Sequence, residues 1–134
     1  MNTRDQSILN MRGDTLGSVS DESSPEERFQ NKTIRPILKF QNDLCIDVFK
    51  NHVKKYKNEF YSYTTEKKLQ YIENTIQKDI KFRNSLKGII IGLFTNEEYG
   101  EYIQNSSALN KRMMNLLIER LKSQVQLFEL NETN

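Results

Sequence analysis

The sequence predicts an all-α protein, a single compact domain of four to five helices with a buried central helix and a flexible N-terminal arm. Apolar residues recur at three- and four-residue intervals along most of the chain after residue 25, which is the spacing of one helix face. Capping residues followed by acidic residues stand where several of these periodic segments begin. Residues 86–94 are apolar almost without interruption, so a helix there must be covered on more than one side.

Length and composition fit one soluble domain. The chain has 134 residues, a formal net charge of +2 and a hydrophobic fraction of 36%, which suits a single domain with a modest core. Cys45 is the only cysteine, so no intramolecular disulfide can form. No segment approaches the roughly 20 apolar residues that cross a bilayer, and the N-terminus lacks the apolar run of a signal peptide. A soluble, cytoplasmic protein without membrane contact is therefore expected.

Composition divides the chain into three parts. Residues 1–24 are rich in Asn, Ser, Asp, Gly and Thr, and they are predicted to form the flexible N-terminal arm. Residues 25–130 form the predicted helical domain, and residues 131–134 form a frayed tail. Alternatively, the arm can dock on the domain as a short ordered segment through its scattered apolar side chains, Ile8, Leu9, Met11 and Leu16.

The clearest helix start is at Ser24. Its hydroxyl can cap the helix, Pro25 suits the first helical position, and Glu27 completes a capping box with acidic charge at the positive helix end. This short helix is expected to end near Thr33, because Pro36 disfavours helical geometry at Arg35, or else the proline kinks the chain there.

A long helix is predicted from Ile37 to Phe60. Cys45 lies beside its apolar stripe and is interpreted as a small buried side chain rather than a reactive thiol. His52 is the only histidine, so it is interpreted as a surface or boundary residue rather than a metal ligand. The stripe consists of Ile37, Phe40, Leu44, Val48, Phe49, Val53, Tyr56 and Phe60.

Capping signals also place the helices that follow. Thr64 or Thr65 caps a helix whose buried residues are Leu69, Ile72, Ile76 and Ile80. A second capping box, Thr95 to Glu98, ends the central helix near Phe94. It starts a short helix that carries Tyr99, Tyr102 and Ile103. The last helix begins after Asn105, with the stripe Leu109, Met113, Leu116, Leu117, Leu121, Val125 and Phe128.

The central helix is predicted at Ser85–Phe94. Gly88 and Gly92 lie four residues apart on one of its faces, and each lowers helix stability by about 1 kcal/mol relative to alanine. Close packing of another helix against this face is the expected compensation. Ile89–Ile91 would suit a strand equally well, and the helical patterns on both sides favour the helix.

Polar side chains at the ends of the central and following helices are the main functional candidates. Arginine, asparagine and tyrosine in one cluster can bind an anion or a partner peptide. The same groups can instead cap helices and satisfy buried backbone groups. The candidates are Lys81, Arg83, Asn84, Lys87, Tyr99, Tyr102, Asn105, Asn110 and Arg112, with Lys111 beside them.

A second candidate is charge, because ten basic and four acidic residues between Lys50 and Lys87 give a net charge of +6. A basic face is predicted at Lys50–Lys68 within this window. Tyrosines are interleaved with these lysines, a composition that can bind single-stranded nucleic acid by stacking and phosphate contacts. Arg83 is the only arginine in this window, which favours a solvated lysine face over a nucleic-acid site. The basic face consists of Lys54, Lys55, Lys57, Lys67 and Lys68.

No catalytic, cofactor-binding or metal-binding residue is predicted. A Ser–His or Cys–His pair would have to use His52, for which the sequence offers no orienting acid. The glycines lack the lysine and hydroxyl of a phosphate-binding loop. The sequence therefore favours a non-catalytic interaction or regulatory protein that binds a protein partner or forms a homodimer. Weak nucleic-acid binding through the basic face is an alternative.

Two segments resemble a group of small, uncharacterised bacterial proteins: RPILKFQNDL at residues 35–44 and IQKDIKFRNSLKGIIIGLFTNEEYGEYIQNSSALNKRMMNLLIERL at residues 76–121. The resemblance implies a helical fold. Members of that group sometimes carry the label glyoxalase, which implies a lactoylglutathione lyase activity as a further alternative. Proteins similar to glyoxalase I hold a metal with histidine and glutamate in paired βαβββ modules. This chain has one histidine and no alternating strand pattern, so no metal ligand can be carried over.

Overall fold

The computed structural model describes residues 2–13, 23–55 and 59–129. Across those ranges it has eight α-helices and no strand, which confirms the all-α class. A π-helix at Gln30–Ile34 joins α2 and α3, so the α-helices form seven separate rods, more than the four to five predicted. The α-helices are α1 (Thr3–Arg12), α2 (Pro25–Phe29), α3 (Arg35–Phe40), α4 (Asn42–Lys55), α5 (Thr65–Lys78), α6 (Ile80–Ile91), α7 (Asn96–Ile103) and α8 (Ser106–Ser123). Two 3₁₀-helices are at Phe60–Ser62 and Val125–Phe128.

The hydrophobic core is built around Phe49 in α4. Its ring centroid lies 5.0 Å from that of Phe128 and 5.8 Å from that of Phe60, and it also contacts Phe82. Phe60 and Phe128 come from the two 3₁₀-helices, so each of these short elements is held by one aromatic side chain in the core. Other fully buried side chains are Phe94, Ile34, Ile37, Ile72, Ile76, Leu86, Ile90, Leu109 and Met113.

The sequence predicts that the helix starting after Ser24 ends near Thr33. In the structure this helix continues beyond Thr33. Its backbone follows π-helical geometry at Gln30–Ile34, and the Arg35 N–H bonds to the carbonyl of Gln30, five residues earlier. The helix then continues past Pro36 to Phe40. The change of hydrogen-bond spacing just before the proline lets one rod include a residue that has no N–H of its own.

The predicted long helix of residues 37–60 is interrupted at Gln41, between α3 and α4. The residues that face the core consequently differ from the predicted stripe. Phe40 and Leu44 belong to that stripe but are each 48% exposed. Tyr56 lies outside the described residues. The buried residues of α4 are Cys45, Ile46, Phe49 and Val53.

The central helix α6 is buried on one side only. Its buried stripe, continued in the following turn, consists of Phe82, Leu86, Ile90 and Phe94. Gly88 and Gly92 are exposed, and a Cβ atom added to Gly88 would meet no atom within 4 Å. The predicted packing of another helix against the glycine face is therefore wrong, and α6 is an amphipathic helix.

Predicted caps are present at α2, α5 and α7: Ser24, Thr64 and Thr95. The capping box at Thr95 is complete, because the Glu98 carboxylate accepts a hydrogen bond from the Thr95 N–H at 2.8 Å. Asp79 ends α5 and caps α6. Ile80 consequently starts α6 and is 61% exposed, instead of being buried at the end of α5.

Residues 3–12 form α1, an ordered helix within the segment that the sequence predicts as a flexible arm. Ile8 is buried, whereas Leu9 and Met11 are exposed. Leu16 lies outside the described residues. Of the apolar residues expected to dock an ordered arm, one of the three described side chains is thus buried.

α8 is the longest α-helix of the described chain, with 18 residues. Within residues 2–13, 23–55 and 59–129, no helix combines the length and hydropathy needed to cross a membrane. The tail predicted at residues 131–134 lies outside the described residues.

Candidate functional site

A groove of about 390 Å³ lies between the C-terminal end of α5, the helix α6 and the helix α8. Arg83 and Lys87 face it together because they are four residues apart on α6. α8 contributes residues at three- and four-residue spacing, which likewise share one helix face. The groove is lined by Gln77, Arg83, Lys87, Ser107, Asn110, Lys111, Met114, Asn115 and Ile118.

The groove combines apolar and basic groups. Met114 and Ile118 are buried and form its apolar floor. Arg83 and Lys87 are half-buried and Lys111 is exposed, so three cationic side chains surround this floor. No carboxylate is among the described residues that line the groove. The local field therefore favours an anionic ligand.

Arg83 is held at the α5–α6 junction by a backbone contact. Its Nη1 donates a hydrogen bond to the carbonyl of Gln77, in the last turn of α5, at 3.0 Å. This carbonyl is one of those that the end of a helix leaves without an intrahelical partner. The contact uses one of the five N–H donors of the guanidinium, so others can bind a carboxylate.

Asn110 is oriented in the groove by Tyr102. The buried Tyr102 hydroxyl donates a hydrogen bond to the Asn110 Oδ1 at 2.6 Å. Because the side-chain oxygen is the acceptor here, the amide nitrogen of Asn110 is the group that can donate to a ligand. Tyr102 thus orients a groove residue although it does not line the groove itself.

Two other predicted candidates, Asn105 and Arg112, make hydrogen bonds that hold the fold together. The Asn105 amide donates to the Glu26 Oε1 at 2.7 Å, and the Arg112 Nη1 donates to the Gln30 Oε1 at 3.0 Å. Both contacts tie α8 and its start to the rod formed by α2, the π-helix and α3. Backbone hydrogen bonding, with the Asn105 contact, lowers the pKa of Glu26. Tyr99 is 48% exposed on α7 and does not line the groove.

Lys81 lies on the other side of α6, beside a second hollow of about 290 Å³. This hollow has two lysines and one carboxylate among its described lining residues, so its net positive charge is smaller than that of the groove. Asn84 is exposed and lines neither of the two depressions. The second hollow is lined by Val48, Asn51, His52, Lys55, Asp79, Lys81, Phe82 and Ser85.

His52 stacks on Phe82 in the second hollow, with ring centroids 3.9 Å apart. Burial lowers the pKa of His52, and the Asp79 carboxylate, 3.7 Å from its Nε2, opposes this shift only in part. Its boundary position matches the prediction. Among the described residues, no three histidine, cysteine or acidic side chains are grouped so that they could hold a metal ion.

The lysines of the predicted basic face have different environments. Lys54, Lys55 and Lys67 are exposed, and the Lys67 Nζ lies 4.2 Å from the centroid of the Tyr63 ring. Lys68 is buried, with its Nζ 5.7 Å from the centroid of Phe60, so it does not contribute to an exposed face. Lys57 lies outside the described residues. Nucleic-acid binding by this face stays a prediction.

Cys45 is buried in the core, as predicted, and burial raises the pKa of its thiol to about 11. The thiolate, which is the nucleophilic form, is therefore scarce at neutral pH. Among the described residues that line the groove there is no carboxylate, histidine or thiol.

Four residues that the sequence marks as candidates lie together in the groove: Arg83, Lys87, Asn110 and Lys111. The sequence interpretation missed the rest of the lining, Gln77, Ser107, Met114, Asn115 and Ile118. The helical spacing of Ser107, Lys111, Met114 and Ile118 is a signal that could have found one face of α8. No sequence pattern shows that this face lies opposite Arg83.

Comparison of the chain with protein families, with curated proteins and with solved structures finds no match in any of the three. The resemblance to the glyoxalase-labelled proteins stays a prediction.

Proposed function

We propose that this protein is a non-catalytic interaction module, and that the groove between α5, α6 and α8 binds an acidic segment of a partner protein. The observation that carries this proposal is the placement of Arg83, Lys87 and Lys111 around an apolar floor with no carboxylate among the described lining residues. Cations at the rim and a buried apolar centre are the two parts of a peptide-binding surface.

The chemistry of the lining supports a segment that mixes acidic and apolar residues. Met114 and Ile118 offer contact to one apolar side chain, and methionine adapts its shape to different partners. Arg83 can bind a carboxylate through two parallel hydrogen bonds, and Lys87 acts as a point charge beside it. The Asn110 amide can donate to a peptide carbonyl.

The same lining favours binding over catalysis. Ser107 is the one hydroxyl among the described lining residues, and no histidine, cysteine or carboxylate lines the groove to activate it. His52 and Asp79 belong to the second hollow, on the other side of α6.

The test is titration of the full chain into fluorescent peptides, followed by anisotropy. One peptide alternates glutamate and leucine, and its matched control alternates lysine and leucine. The acidic peptide is expected to bind, with an affinity that falls as salt rises, because its carboxylates meet three cations. Arg83→Glu and Lys87→Glu should each weaken binding by about tenfold or more.

Lys54→Glu is the matched control variant, because it reverses an exposed lysine that does not line the groove. It should leave the affinity for the acidic peptide nearly unchanged. The groove would not be the binding site for acidic segments if the two peptides bound equally well, if all three variants lost the same affinity, or if neither peptide bound. Tighter binding of single-stranded DNA than of the acidic peptide, lost in Lys54→Glu, would assign function to the basic face instead.

A further inference from the structure

The guanidinium of Arg12, at the end of α1, is enclosed by acceptors from three other elements. Its Nη1 donates to the Glu98 Oε1 at 2.6 Å and its Nη2 to the Glu98 Oε2 at 2.9 Å, which is a bidentate pair. Nη1 also donates to the Leu93 carbonyl at 3.2 Å, and Nη2 to the Lys32 carbonyl at 3.3 Å. The side chain of Arg12 is only 3% exposed.

The local sequence and a helix end place these two carbonyls where ordinary α-helical donors are scarce. The Lys32 carbonyl would accept from the N–H of residue 36 in an α-helix, and that residue is proline. The Leu93 carbonyl follows the end of α6, where helical donors run out. Arg12 therefore supplies donors to one carbonyl four residues before a proline and to another beyond a helix end.

The Glu98 carboxylate is fixed by groups outside α1. It accepts hydrogen bonds from the Thr95 N–H at 2.8 Å and from the Thr33 hydroxyl at 2.7 Å. Both donors belong to the helical domain, so the domain itself orients the acceptor for an arginine. We call these acceptors, Glu98 with the carbonyls of Leu93 and Lys32, the arginine site.

The remaining contacts of α1 are also mainly polar and directional. Arg4 donates to the carbonyls of Gly92 and Phe94 at 2.9 and 3.1 Å, and the Asp5 carboxylate accepts from the Asn96 N–H at 3.0 Å. Together they complement the negative end of α6 and the positive end of α7. Ile8 is the only large aliphatic side chain of α1 that is buried. The domain thus recognises this helix by charges at defined positions.

We propose that the arginine site also accepts α1 of a second copy of this chain, so that two copies associate by reciprocal exchange of their N-terminal helices. A second copy presents the same Arg4, Asp5 and Arg12 at the same helical spacing, so the complementary contacts can be made between chains without new chemistry. The chain's own α1 competes as an intramolecular ligand. The population of the exchanged dimer therefore rises with protein concentration. This surface is separate from the α5–α6–α8 groove.

Two charge-reversal variants of the full chain test the exchange. Arg12→Glu keeps an acidic site but supplies an acidic arm, and Glu98→Arg keeps a basic arm but supplies a basic site. Each variant alone has like charges both within and between its copies. When they are mixed, Arg12 of one chain meets Glu98 of the other, and the two reversed residues meet each other.

Native mass spectrometry is expected to show monomers for each variant alone and a heterodimer of twice the 15.9 kDa mass in the mixture. Combining both reversals in one chain restores the pair within the chain and should behave as the wild type. Monomers in a mixture of variants whose circular dichroism shows native helix content would overturn the exchange.

A second measurement covers the case in which the reversed variants do not fold. The wild-type chain is concentrated to about millimolar level, which is comparable to the effective concentration of a tethered segment. Its mass is followed by light scattering. A dimer should form, and an excess of a synthetic peptide of residues 2–13 should return it to monomer. The same peptide with Arg12→Ala should not do so. A strict monomer, or equal effects of the two peptides, would overturn the proposal.

Discussion

Arg12 and Glu98 form the most enclosed ion pair of the described chain, with side chains 3% and 14% exposed. A buried pair of this kind gains little net stability when it forms, because both charges lose their hydration. Removing one partner is a different matter, since the other charge then stays buried without compensation. Arg12 therefore matters for stability mainly because its removal would leave the Glu98 carboxylate buried without a counter-charge.

Arg12→Ala is predicted to lower the free energy of unfolding by about 3 kcal/mol, because the Glu98 carboxylate loses its counter-charge and two carbonyls lose a donor. Urea unfolding followed by circular dichroism measures this change. The matched control is Arg4→Ala, which removes a 50% exposed side chain from the same helix and should cost less than about 1 kcal/mol. Equal losses in the two variants would contradict the role assigned to the buried pair.

Stability is predicted to fall on acidification in two stages. Burial lowers the pKa of His52, so between its unfolded value of 6.5 and its lower folded value only the unfolded chain binds the proton, and stability falls as pH decreases. Burial acts to raise the pKa of Glu98, but hydrogen bonds from Arg12, Thr95 and Thr33 outweigh it and lower the pKa. Its contribution is present above the unfolded value of 4.5 and is lost below it.

Urea unfolding at a series of pH values between 8 and 3 separates the two stages. His52→Gln should flatten the upper stage and leave the lower one, and Glu98→Gln should have the converse effect on the slopes. A His52→Gln protein that keeps the full slope below pH 6.5 would contradict the assignment to His52.

At the scale of the elements, the sequence identifies most helix starts and misjudges which faces they bury. Ser24, Thr64 and Thr95 act locally, through hydrogen bonds within four residues, so a pattern can predict them. The face that a helix buries depends on its neighbours in space. Phe40 and Leu44 fit the helical spacing but are exposed, because the break at Gln41 changes the orientation of α4 relative to α3.

Gly88→Ala is predicted to stabilise the protein by about 1 kcal/mol, because alanine has the higher helix propensity and its Cβ meets no atom. Thermal and urea unfolding measure the gain. Gly13→Ala is the contrasting substitution: Gly13 ends α1 with φ of +78°, so alanine there should lose about 1 kcal/mol. A loss at Gly88 would indicate that the glycine face is covered after all.

At the scale of the whole molecule, the sequence predicts the all-α class and part of the groove. Arg83, Lys87 and Asn110 are chemically conspicuous, so their residue types alone make them candidates. Their meeting depends on how α6 crosses α8, which involves residues more than 20 positions apart and leaves no local pattern. Lys68 shows the converse, since a lysine in a basic stretch is buried over an aromatic ring by the tertiary fold.

The C-terminal end of the described chain is attached to the core by Phe128. Its ring is fully buried and contacts Phe49 of α4 and Phe60 of the first 3₁₀-helix, so it joins the end of the described chain to two segments far earlier in the sequence. Phe128→Ala is predicted to lower the free energy of unfolding by about 3–5 kcal/mol, because it leaves a cavity between these rings. Leu127→Ala, one residue earlier and 46% exposed, should change it by less than about 0.5 kcal/mol. If both variants unfold at the same urea concentration, Phe128 does not join these segments, and the 3₁₀-helix at Val125–Phe128 is an appendage of α8 rather than part of the core.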